Sequence, residues 1–298
     1  MAVRTPLVRL NADAPVPIYL KLENLQPVGS FKLRGAANAL CALPPADLGR
    51  GVYTASAGNM AQGVAWAARA LGVPATAVVP ETAPATKLRA IERLGARALK
   101  VPFDRWWQVM IDHHFPGLDA LFVHPFADTR VMAGNGTIAL ELLEDLPEVE
   151  TVLVPYGGGG LSCGIAATLA ALRPQARVFG CEVDAAAPLV ASFAAGEARS
   201  IDYRPNFVDG ISGKSVMAEM WPLTRRLLAG ARAVSVAEAA AAVRLLAERN
   251  RVVAEGAGAV PVAAALVATD LRGPVVCIVS GGNIDSDKLA TILAGGVP

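Results

Sequence analysis

Charge is scarce in this chain. Only 18% of its 298 residues are Asp, Glu, Lys or Arg, and the formal net charge is +1. There is no basic stripe or tail of the kind that binds nucleic acid, and no basic amphipathic segment suited to a membrane surface. No apolar run reaches the roughly 18 residues that a membrane span needs, and Met1 to Pro15 has no apolar core of signal-peptide length. The four cysteines, Cys41, Cys163, Cys181 and Cys277, form no CxxC pair. They read as free thiols, the last three in apolar contexts, and the expected compartment is a reducing cytoplasm. His113, His114 and His124 make no metal-ligand spacing with any cysteine, so no metal is expected. A Ser-His-Asp nucleophile elbow is missing, and so are internal repeats and low-complexity tails.

What remains is an apolar chain, 53% hydrophobic, long enough for one large domain or two modest ones. Short apolar runs alternate with helical patterns. Strands are expected near 18–23, 51–55, 75–79, 98–101, 121–124, 152–155, 177–182 and 275–279. Helices are expected near 36–40, 59–71, 86–94, 106–114, 138–146, 163–172 and 259–268. Gly72 is a natural C-cap, and Ser235-Val236-Ala237-Glu238 is a capping box opening a helix to about Asn250. Residues 185–220 read as loops and short helices, and the acidic run from Glu141 to Glu150 as a solvated helix face. Continuous apolar strands alternating with helices imply an α/β fold, a mostly parallel sheet covered on both faces.

Four stretches could carry chemistry. Gly29-Ser30-Phe31-Lys32-Leu33-Arg34-Gly35 joins the first strong strand to a helix. The positive end of a helix disfavours an ammonium and favours the neutral amine that a Schiff base requires. Ser56-Ala57-Gly58-Asn59 also joins a strand to a helix. Its small residues leave amides free to seat a carboxylate, although an N-capped βα turn looks the same. Tyr156-Gly157-Gly158-Gly159-Gly160-Leu161-Ser162 places four glycines between a strand and a helix. Only glycine lets consecutive amides turn inward on one small anion. The spacing fits neither a dinucleotide fingerprint nor a Walker loop, so a compact phosphate is the implied ligand. Ser280 ends the last strand, where open α/β sheets bind ligands; alone, its segment is a turn. Glu255 reads equally as a site carboxylate or as a neighbour of a helix start.

In this order, across nearly the whole chain, these segments resemble the fold-type II pyridoxal-phosphate enzymes, and among them the serine/threonine dehydratases (threonine ammonia-lyases) and serine racemase. Arg4-Thr5-Pro6-Leu7, Lys21 to Gln26, Glu255 to Ala259 and Ser280 to Asp285 match as well. The resemblance implies two α/β domains with the cofactor in the cleft. The large domain would comprise residues 1–49 and 131–298, and the small inserted one residues 50–130. It implies pyridoxal 5'-phosphate on Lys32 with Phe31 beside the ring. Backbone amides of Gly157, Gly158, Gly159, Gly160 and Leu161 would hold the phosphate, and Ser280 the pyridine nitrogen. Ser56, Ala57, Gly58 and Asn59 would take the substrate carboxylate, with Asn59 also reaching the ring hydroxyl.

The implied reaction is α,β-elimination of L-threonine or L-serine to a 2-oxo acid and ammonia, with Lys32 as the base. Leu33 follows the lysine as in dehydratases, where threonine and cysteine synthases have aspartate. Racemases of the family carry a second serine where this chain has Ala57. Met60 and Asn135 replace the family's usual histidine and glutamine. The racemase branch's divalent-cation site would use Glu182, Ala186 and an acidic residue at 188, but residue 188 is proline. The chain stops soon after Ser280, so the regulatory domain of biosynthetic threonine deaminases is expected to be absent. A small amino acid is the expected partner, in a homodimer or higher homo-oligomer. Serine racemase, a hydroxyaspartate dehydratase and a non-catalytic regulator that binds the cofactor or an amino acid are the competing readings.

Overall fold

A computed structural model describes residues 1–298. The strands are β1 (Leu7–Arg9), β2 (Ile18–Leu22), β3 (Val52–Ala55), β4 (Ala75–Pro80), β5 (Arg97–Val101), β6 (Leu121–Phe122), β7 (Thr151–Pro155), β8 (Arg177–Val183), β9 (Gly230–Val234) and β10 (Val275–Val279). The helices are α1 (Lys32–Cys41), α2 (Pro45–Leu48), α3 (Asn59–Leu71), α4 (Ala85–Arg93), α5 (Phe103–Asp112), α6 (Thr129–Asp145), α7 (Gly160–Leu172), α8 (Pro188–Ala195), α9 (Trp221–Leu227), α10 (Val236–Leu245), α11 (Gly256–Val267) and α12 (Ser286–Leu293). No helix is long and apolar enough to cross a membrane. The chain folds into two compact units, one of Met1–Val3 and Gln26–Asn135, the other of Arg4–Leu25 and Gly136–Pro298.

The first unit is built on a four-stranded sheet in the order β5-β4-β3-β6, parallel throughout. The central strand β3 is buried along its whole length and β4 through Ala77–Val79, while the edge strand β5 exposes Arg97 and Lys100. Val28, Leu33, Leu40, Met60, Val64 and Val131 form one core, Tyr53, Val78, Val101 and Met110 a second, and Ala61, Val79, Leu88 and Ile91 a third. The sequence boundaries assigned residues 26–49 to the large domain. In the structure α1 packs on α3, which groups that segment with residues 50–135. Gly72, left-handed at φ 68, closes α3 where the sequence places the C-cap.

The second unit holds a six-stranded sheet in the order β1-β2-β10-β7-β8-β9. Only the β1–β2 pair is antiparallel. The capping box at Ser235 and Glu238 forms in both directions and starts α10, which runs on as a π-helical turn, Leu246–Asn250. Five elements carried no recognised signal: the edge strands β1 and β9 and the short helices α2, α9 and α12.

Two differences from the sequence reading have a packing cause. Helix α6 starts at Thr129, nine residues before the expected 138, and runs straight through Gly134 and Gly136. These glycines are contact surfaces. A β-carbon at 134 would overlap the Arg34 carbonyl oxygen, and one at 136 would lie 2.6 Å from Thr168 Oγ1. The acidic run is not simply a solvated face either. Lys21 is fully buried on β2, and its Nζ donates to Glu141 Oε2 and to the Thr5 carbonyl, each at 2.6 Å. Arg4 pairs with Glu144 and Asp145. A buried ammonium requires such partners.

Candidate active site

In the first unit, α1 begins at Lys32 itself, with Phe31 as N-cap and no side-chain cap. Lys32 is half-buried. Its Nζ donates to the Pro125 carbonyl at 2.7 Å and lies 5.1 Å from the Phe31 ring centroid. Two residues earlier, the Ser30 hydroxyl is buried without a hydrogen-bond partner, an uncommon state that marks a place suited to a ligand contact. The turns Ser56–Gly58 and His124–Asp128 follow β3 and β6. These are neighbouring parallel strands, so both turns emerge at the same sheet edge. Ser56, Ala57, Gly58 and Asn59 are half-buried, and the Gly58 N–H donates to Ser56 Oγ at 3.2 Å. No side chain caps α3, whose start is the positive end of the helix. Met60 points elsewhere: it is 1% exposed and packs in the core with Leu33 and Val64. Asn135 is buried as well.

The same edge holds a residue that the sequence reading weighed only as a metal ligand. His124 is buried, and burial, with His113 next, pulls its imidazole down to about 4. Its position just past a parallel strand's carboxyl end was the available signal.

In the second unit, β7 and β10 are parallel neighbours, with Cys277 opposite Leu153. That register brings the ends of both strands, the Tyr156–Gly159 loop and Ser280, to one edge of the sheet. Gly159 is the N-cap of α7 at φ 88, a left-handed conformation that side-chain-bearing residues rarely adopt. A β-carbon there would also stand 3.1 Å from Tyr156 Oη. No side chain caps α7. Its first intrahelical bond runs from the Cys163 N–H to the Gly159 carbonyl, so the helix presents its positive N-terminal end beside the glycine loop. Tyr156 is buried under the loop, 3.3 Å from Thr224 Oγ1, and burial pushes its phenol upward. Ser280 is buried at the end of β10. Glu255, also buried, is the N-cap of α11 but caps it with no side-chain bond.

Glu182 lies on β8. Its two carboxylate oxygens accept the Leu189 and Val190 N–H groups at 2.9 and 3.0 Å, at the start of α8. Burial nonetheless pushes its carboxyl up to about 8.

Each unit taken by itself offers a feature that suits part of a small phosphorylated aldehyde. The glycine loop offers amides and no acidic side chain, and Lys32 offers an amine. Residues 2–281 match the family described as pyridoxal-phosphate dependent enzymes. The chain is 43% identical over 283 residues to an L-threonine ammonia-lyase of Thermotoga maritima, covering 94% of this chain and 70% of that protein. Among solved structures it is similar to threonine deaminase isoform 2 of Solanum lycopersicum, with TM-score 0.88, 32% identity and coverage of 99% and 89%. It is also similar to the serine racemase of Dictyostelium discoideum, with TM-score 0.86, 33% identity and coverage of 95% and 94%. With a family match along nearly its whole length, the chain belongs to the fold-type II pyridoxal-phosphate dependent enzymes, and pyridoxal 5'-phosphate is its cofactor.

Proposed function

We propose that the protein is an ammonia-lyase that eliminates the β-hydroxyl of L-threonine or L-serine, giving a 2-oxo acid and ammonia. The observation that carries this reading is Lys32: an amine at the first residue of a helix, in the same unit as an uncapped turn fit for a carboxylate. Likeness to a threonine ammonia-lyase and a threonine deaminase supports it.

On this reading Lys32 holds the cofactor's aldehyde carbon, with Phe31 beside the ring. Amides of Gly157, Gly158, Gly159, Gly160 and Leu161 take its phosphate. Ser280 would bond the ring nitrogen and Asn59 the ring hydroxyl. Ser56 to Asn59 receive the substrate carboxylate. When bound, the cofactor withdraws electrons from the substrate's α-carbon. With the cofactor bound, Lys32 Nζ would take the substrate's α-proton. Ser280 would offer the ring nitrogen a hydroxyl rather than a carboxylate, which would make the cofactor a weaker electron sink. The enzyme acts on a small amino acid, as a homodimer or larger homo-oligomer in the cytoplasm, without a metal in its reaction.

Likeness to a serine racemase favours a second reading, racemisation. It requires an acid-base group on the face opposite Lys32, and Ala57 offers only a methyl group. The assignment of Lys32, which both readings share, is tested directly. Borohydride reduction followed by peptide mapping should locate the cofactor on Lys32. Lys32→Ala should lose that adduct and nearly all 2-oxo acid release across a panel of β-hydroxy amino acids. An adduct on another lysine refutes the assignment.

A further inference from the structure

The chemistry above leaves the buried imidazole of His124 unused. Its Nδ1 accepts the Ala127 N–H at 2.8 Å and the Phe126 N–H at 3.2 Å. A ring nitrogen that accepts amide hydrogens carries no proton, so the proton sits on Nε2. Nε2 is 3.3 Å from the Met110 carbonyl and donates to it. The ring therefore ties the last turn of α5 to the turn that follows β6. The rings of Phe126, His113 and Phe122 enclose it, at centroid distances of 4.5, 4.6 and 5.6 Å.

Pro125 lies inside the turn that His124 closes. Its own φ is locked and it has no N–H, so the direction of its carbonyl depends on the peptides on either side. That carbonyl is the one that accepts from Lys32 Nζ at 2.7 Å. We infer that His124 is a positioning residue for Lys32, its neutral imidazole fixing the Phe126 and Ala127 amides so that the Pro125 carbonyl meets the lysine amine. The inference rests on the reading of Lys32 as the cofactor's lysine. If His124 only filled space, any side chain of similar volume would serve. If it positions Lys32, what matters is an acceptor at the place of Nδ1.

Asparagine puts an oxygen near the Nδ1 position. Glutamine reaches the Nε2 position, and leucine supplies volume alone. In the cofactor-free full chain, reductive methylation of Lys32 is followed by peptide mass spectrometry, with Lys87 and Lys100 of the same unit as references. His124→Leu and His124→Gln should label Lys32 about threefold faster or more, because the amine is no longer held. His124→Asn should stay within about twofold of the parent. In the loaded enzyme the first two variants should lose about tenfold in kcat, with KM within about twofold because the Ser56–Asn59 turn is untouched, and His124→Asn should recover most of the loss. Should His124→Leu fail to fold, the contrast between Asn and Gln decides. Equal Lys32 labelling and equal kcat in those two variants overturns the inference. The functional reading fails separately: a cofactor mapped to another lysine refutes it, while Lys32 labelling that still distinguishes Asn from Gln leaves the positioning intact.

Discussion

Gly63 on α3 lies against the backbone of Lys32. A β-carbon there would stand 3.0 Å from the Lys32 carbonyl oxygen and 3.2 Å from the Leu33 nitrogen. The backbone that carries the amine is thus held by the neighbouring helix as well as by its own turn. Gly63→Ala should push α1 away from α3. We expect a loss of about 1–3 kcal/mol in denaturant unfolding and a weaker cofactor affinity by fluorescence titration. If both quantities match the parent, this contact does not hold the lysine.

At Gly159 conformation and space act together. Alanine at φ 88 costs about 1–2 kcal/mol, and its methyl group would crowd Tyr156. Gly159→Ala should fold with a lower melting temperature and bind the cofactor more weakly. Inorganic phosphate should compete with the cofactor less well in the variant than in the parent. Unaltered cofactor and phosphate affinities in a folded Gly159→Ala would remove the loop from the proposed phosphate site.

Ala57 lies in the half-buried turn between β3 and α3. Racemisation needs a second proton donor, and a methyl group cannot act as one. L-Serine should therefore give pyruvate with little D-serine, and Ala57→Ser should raise the ratio of racemisation to elimination. Chiral chromatography beside a pyruvate assay reads both products. Parent enzyme that forms D-serine faster than pyruvate would refute the lyase reading and promote the racemase one.

His124 gives the fold a pH dependence. Burial and then His113 and Lys32 disfavour its charged form, against the Met110 carbonyl and Asp128, and bring it from the ordinary 6.5 down to about 4. The folded state thus binds the proton less well than the unfolded state. The contribution is fully present above pH 6.5 and is lost as pH falls from there through 4. Over that window it amounts to on the order of 3 kcal/mol. Between pH 7 and 4.5, urea unfolding of the parent should lose more stability than His124→Asn, and parallel losses would rule out this linkage.

Glu182→Ala should be costly although the residue touches no proposed ligand. It strands the Leu189 and Val190 amides at the start of α8, at about 2–4 kcal/mol. Calorimetry should show a clear drop in melting temperature with cofactor affinity little changed. A melting temperature equal to the parent's would mean that water or a rearranged α8 satisfies those amides.

Local sequence was enough wherever the determining interactions are themselves local. The capping box at Ser235 and Glu238, the left-handed stop at Gly72 and the apolar strands each depend on residues within a few positions of one another, and all stand where the sequence puts them. So does Lys32 at a helix start, with the glycines between β7 and α7 and Ser280 at the end of β10. What the linear pattern could not decide depends on partners far along the chain. Gly134 and Gly136 look like helix breakers until close-packed neighbours in each unit demand residues without a β-carbon. Glu141 looks solvated until a lysine 120 positions away is buried against it. Met60 follows the carboxylate turn directly in sequence, yet the core closes over it. His124 is only half local: the Phe126 and Ala127 amides lie within three positions of it, but the Met110 carbonyl meets its Nε2 only because α5 packs against the turn that follows β6. Sequence alone determined the chemistry that the chain carries, because cofactor chemistry needs particular residue types in short motifs. Tertiary packing decided which groups hold that chemistry in place, because hydrogen bonds and steric contacts form between whatever atoms the fold brings within about 3 Å.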